Sequence, residues 1–189
     1  MAVVWSYPVQ PFDTSAGSAV TAAALTAGTP SPPPVAPPIQ LAGTAIRITA
    51  NGEVTSTSAT PTCTLGFYVA PEATAIGSAT ALCVSPAMAL LSTTTAWPFM
   101  MKYEGTIRSL STSSGGNGVF HGQGYVLWWG NVSLTGDANV FPMPTTQAAR
   151  TVSTINTYTN LQFDVGVTLS VTTGAPSVTV TDFNVELMG

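Results

Sequence analysis

From Leu41 onward, large apolar residues fall on every second position, a spacing that only an extended chain turns into one continuous face. Ile46 and Ile48 alternate with Arg47 and Thr49, and Cys63, Leu65, Phe67 and Val69 alternate with Thr62, Thr64, Gly66 and Tyr68. Trp97, Phe99, Met101 and Tyr103 form a third such face, which Ile107 extends past Gly105. Residues 151–155 are a short β-branched run, and alternation returns over residues 161–171 and 177–187. Asn51-Gly52 has the composition of a hairpin turn. Residues 111–118, STSSGGNG, read as a loop without core-forming residues. No helical period of 3.6 appears after residue 40. Short strands separated by turn residues predict an all-β fold, a jelly-roll-like β-sandwich of eight or so strands. An immunoglobulin-like sandwich fits less well, because the length and the missing Cys-Trp-Cys spacing count against it.

Residues 119–132 stand apart. Tyr125, Leu127 and Trp129 fall on one face, while Val126 and Trp128 fall on the other. Both faces are apolar, which predicts a strand covered on two sides. Trp97, Tyr125, Trp128 and Trp129 are therefore candidates for core or oligomer contacts. The alternation turns Trp128 and Trp129 to opposite sides, so together they make no flat platform for a sugar ring.

The first 40 residues obey different rules. Residues 26–40, TAGTPSPPPVAPPIQ, hold six prolines. Each proline fixes φ and removes a backbone donor, which excludes helix and central strand and favours an extended, semi-rigid spacer. Residues 17–25 are Ala/Thr-rich and fit at most a short helix. Trp5, Tyr7, Val9 and Phe12 are large apolar groups with little local company. They either fold back on their own domain or grip a neighbouring subunit. The predicted organisation is an extended N-terminal anchoring arm over residues 1–40 and a β-sandwich over residues 41–189.

Charge narrows the function. Only 6% of the residues are charged, against about 25% in ordinary soluble domains. The surface must be Thr, Ser, Asn, Gly and apolar atoms, or be covered by partners. Arg47, Lys102, Arg108 and Arg150 are the four cations, and the net charge is −4. Phosphate neutralisation and binding to anionic membranes both need clustered Lys and Arg, so neither nucleic acid nor a membrane is an expected partner. No secretory signal is legible at the start, and the most apolar stretch, residues 79–91, is too short to span a bilayer.

Catalytic chemistry is thinly provided. His121 is the single histidine, so any nucleophile-base set must use it. No G-x-S-x-G elbow occurs, and Gly115 to Gly118 lacks the Lys and helix of a phosphate cradle. The carboxylates are spread singly, and Glu104 near Arg108 reads as an ordinary ion pair. Two cysteines and one histidine are too few for a metal. Cys63 and Cys83 are compatible with buried thiols or with one disulfide. No enzyme, cofactor or metal is predicted.

Several runs resemble small jelly-roll or β-sandwich virion proteins of tailed bacteriophages: GTAIRITANG (residues 43–52), TCTLGFY (62–68), WPFMMKY (97–103), RTVSTIN (150–156), LQFDVGVTLS (161–170) and SVTVTDFNVEL (177–187). The likeness covers residues 41–189 and leaves the arm outside. It is one of composition and strand order. It implies a trimeric capsid decoration (cement) protein, made in the host bacterial cytoplasm and held on the outer surface of the virion. Its partners would be the major capsid protein and copies of itself. The alternative implied is a head or tail fibre module that recognises host surface glycans.

Overall fold

A computed structural model describes residues 3–7, 42–56, 62–71, 79–91, 96–113, 116–129, 139–158, 161–170 and 176–188. The chain is an all-β sandwich of two antiparallel sheets. Among the described residues eleven strands run in chain order: β1 Val3–Tyr7, β2 Ala45–Thr55, β3 Thr62–Pro71, β4 Thr80–Val84, β5 Met88–Ala89, β6 Trp97–Ser109, β7 Gly118–Trp128, β8 Asn139–Met143, β9 Thr151–Ile155, β10 Leu161–Leu169 and β11 Ser177–Met188. The large sheet has the order β1-β11-β2-β6-β7. The far edge of β7 is shared, with β8 on Gly124 to Trp128 and β9 on Gly118 to His121. The small sheet is β10-β3-β4, and β5 also pairs with β3.

The β3–β10 ladder nests inside the β2–β11 ladder, as the paired strands of a jelly roll do. β6 to β9 depart from that plan by staying in one sheet rather than alternating between two.

Alternation builds the core. Ile46, Ile48, Ala50 and Val54 of β2 and Phe99, Met101 and Tyr103 of β6 are all buried. They face the buried Cys63, Leu65, Phe67 and Val69 of β3. Phe67 and Phe183 stack between the sheets with ring centroids 6.5 Å apart. Burying such a layer supplies the main stabilisation, at about 25 cal/mol per Å² of apolar surface.

Asn51-Gly52 is not a turn. Both residues lie within β2, opposite a bulge in β11 between Val180 and Asp182. Gly52 is required there for space, because a Cβ would sit 2.6 Å from the Phe99 ring and 2.2 Å from the Thr179 carbonyl oxygen. A glycine inside a strand marks close approach as often as it marks a turn.

Gly105 and Gly122 make a second such allowance. They are cross-strand partners, and a Cβ on either would come within 2.4 Å of the Tyr103 hydroxyl. The phenol fills the room that the two glycines leave, and its burial pushes the Tyr103 ionisation well up.

Residues 111–113 and 116–117 form the expected loop, with one buried member. Ser111 is buried, and it exchanges hydrogen bonds with Thr157: the Ser111 amide donates to Thr157 Oγ1 at 2.6 Å, and the Thr157 amide donates to Ser111 Oγ at 2.9 Å. This pair pins the turn after β6 to the segment after β9. The predicted short helix in residues 17–25 and the Pro-rich residues 26–40 lie outside the described residues.

Candidate functional site

Facing away from the core, the large sheet gathers most of the scarce charge. The non-core positions of its strands align as a row, Glu186–Arg47–Glu104–Gln123. Arg47 Nε donates to Glu104 Oε1 at 2.9 Å, and Arg47 Nη1 donates to Glu186 Oε2 at 3.2 Å. Lys102 Nζ lies 3.0 Å from the same Glu104 oxygen. The Lys102 hydrogen bond, followed by that of Arg47, holds the Glu104 carboxyl below its ordinary value. Glu104 thus pairs with Arg47 and Lys102, and not with Arg108 as its sequence position suggested. Residues four apart in a strand are about 13 Å apart, whereas cross-strand neighbours are about 5 Å apart.

Beside this row lies a groove of about 560 Å³, whose polar lining is Glu104, Thr106, His121, Gln123 and Arg150. His121 stands opposite Thr151 in the ladder, with Nδ1 2.9 Å from Thr151 Oγ1. Arg150 Nε is buried there without a hydrogen-bond partner. The Glu104 carboxylate is occupied by two cations, and the described contact of His121 is a threonine hydroxyl. The groove therefore offers donors and acceptors to a polar partner. Among the described residues, no three of His, Cys, Asp and Glu come together as a metal site.

The other half of the face is apolar. Met100, Leu127 and Val140 share one row, and Lys102, Tyr125 and Pro142 share the next. Val140 is 62% exposed. Among the described residues no further sheet lies over this strip, although Met100, Tyr125 and Leu127 are partly buried.

The predicted aromatic positions divide accordingly. Trp128 is fully buried, 6.4 Å from Phe99 between ring centroids, and Trp97 packs partly buried against the same core. Tyr125 and Trp129 are partly exposed. Trp5 and Tyr7 lie in β1, opposite Val185 and Phe183 of β11. Residues assigned by sequence to the arm therefore form the edge strand of the large sheet. Val9 and Phe12 lie outside the described residues.

Cys63 and Cys83 are buried free thiols, each pushed up to about 12 by desolvation. Their register keeps them apart, since Cys83 stands opposite Phe67, four residues along β3 from Cys63.

Asp164 was not singled out by sequence. It takes a polar turn of the β10 alternation, which predicts solvent, yet it is 7% exposed. Burial raises its carboxyl to about 7, against a smaller opposing effect from the Val165 amide that donates to Oδ1 at 3.0 Å.

No protein-family model matches this sequence, and no curated protein matches it either.

Proposed function

We propose that the chain is a structural virion protein of a tailed phage, most simply a capsid decoration protein. In this reading the β-domain associates with its own copies as a trimer, and the N-terminal region binds the outer shell through the major capsid protein. The observation that supports it is the outward apolar strip Met100–Tyr125–Leu127–Val140–Pro142, exposed at Val140 and Pro142 and partly exposed at the other three, on a chain with 6% charged residues. Isolated monomers keep such faces charged, and contiguous exposed apolar surface marks an interaction site. A shell is strengthened by each interface that internal pressure must break, and a proline-stiffened segment loses less entropy when it docks.

Co-sedimentation with shells that lack this protein tests the reading. Full-length chain is expected to pellet with shells, and chain lacking residues 1–40 is expected to stay in the supernatant. Equal pelleting of the two would remove the role of the N-terminal region.

The groove lined by His121, Gln123 and Arg150 favours a second reading, a head or tail fibre module that binds host glycans. Copy number separates the two. A decoration protein is present in hundreds per particle, and a fibre module in a few.

A further inference from the structure

We infer that β1 is exchanged between copies, so that Val3–Tyr7 of one chain completes the β11 edge of its neighbour. The inference deepens the assembly reading by naming the surface and the occupant. It needs neighbouring copies of this chain and does not need a particular shell protein.

Geometry carries it. β1 and β2 both run antiparallel to β11, one on each side. Tyr7 pairs with Phe183, and Phe183 in turn pairs with Ala50. Within one chain, the connection from Tyr7 to Ala45 therefore needs to cross two strand spacings and five residues of strand. That is a gap of roughly 20 Å, at about 4.8 Å per strand and 3.4 Å per residue.

The chain supplies residues 8–44 for this gap, 37 in all. Residues 26–40 alone, with six prolines, have the composition of a polyproline spacer of roughly 46 Å, at about 3.1 Å per residue. Connections inside compact domains are typically about 4–6 residues. A stiff tether also gives its highest effective concentration where its length matches the span. A spacer more than twice the gap suits a target farther off than its own β11.

The β11 edge is a strong target. Without β1 it would present the unpaired N–H and C=O groups of Phe183 to Leu187, and main-chain pairing with an added strand satisfies them. Exchange satisfies the same groups in a neighbour while tying the copies together non-covalently, each chain holding the next through its β1.

Cysteine pairing tests this directly. Ser6 stands opposite Asn184 in the ladder, so two full-length variants are made, Ser6→Cys and Asn184→Cys, on chains of distinguishable size. They are co-expressed and mildly oxidised, and each is also oxidised alone. Buried Cys63 and Cys83 stay out of reach. A cross-linked heterodimer as the major product, absent from either variant alone, is the expected result. A disulfide that forms only within a doubly substituted Ser6→Cys/Asn184→Cys chain would overturn the inference, and so would no disulfide in any sample. Shell co-sedimentation of a chain lacking residues 1–7 reads the shell-binding role separately, so either can fail without the other.

Discussion

Trp128 and Trp129 are adjacent in sequence and differ sharply in burial. Trp128 is fully buried against Phe99, whereas Trp129, just past the end of β7, stays partly exposed. The two positions separate stability from association. Trp128→Ala empties the core and is expected to cost about 3–5 kcal/mol in urea unfolding. Trp129→Ala is expected to change unfolding by less than about 1 kcal/mol while weakening self-association in sedimentation. Equal losses of stability would place both rings in the core.

Asp164 links stability to pH. Its carboxyl is raised from 3.8 to about 7 by burial, so the folded chain holds a proton that the unfolded chain releases near pH 4. The neutral form is fully favourable below pH 4, and its contribution is lost as pH rises through 7. A raise of three units corresponds to at most about 4 kcal/mol. Asp164→Asn keeps the acceptor for the Val165 amide and removes the titration. Stability of the parent therefore falls between pH 4 and pH 7, and urea unfolding at pH 5 and pH 8 is expected to show the variant gaining more on the parent at pH 8 than at pH 5. A constant difference would contradict the burial of this group.

Gly122 and Gly105 hold open the space for Tyr103. Gly122→Ala places a methyl within 2.4 Å of the buried hydroxyl, an overpacking expected to cost about 1–3 kcal/mol. Gly116→Ala meets its nearest neighbour at 3.3 Å and serves as the milder comparison. Thermal unfolding that ranks the two equally would dispute the placement of the phenol.

The buried thiols give a chemical readout of the core. Cys63 and Cys83 are pushed up to about 12, and the thiolate is the reactive form. The native protein is expected to resist iodoacetamide at pH 8 and to take two labels in denaturant. Rapid native labelling would show an open small sheet.

Alternation made most of this fold legible, because a half-buried strand must repeat every two residues. The faces of β2, β6 and β11 follow from it almost residue by residue, whereas β3 and β10 are also buried at the off-face positions Gly66 and Asp164. What it hides is the third dimension. Asn51-Gly52 has turn chemistry, but the glycine answers to Phe99 on the next strand, a residue 47 positions away. The pairing of Glu104 with Arg47, rather than with the closer Arg108, is likewise set by strand order. Ser111 sits in the loop that its composition announces, but its burial is hidden because its partner Thr157 comes 46 positions later. The groove gathers His121 from β7, Arg150 from the turn before β9 and Glu104 from β6, a meeting that no local spacing announces. Asp164 fits the polar half of its alternation, and only burial distinguishes it.

The claim on which the rest depends is that this domain is made to associate, and sedimentation equilibrium of the full-length chain over a wide concentration range tests it most directly. A single species of three chain masses is expected, persisting on dilution. A species of one chain mass at every concentration would contradict the account.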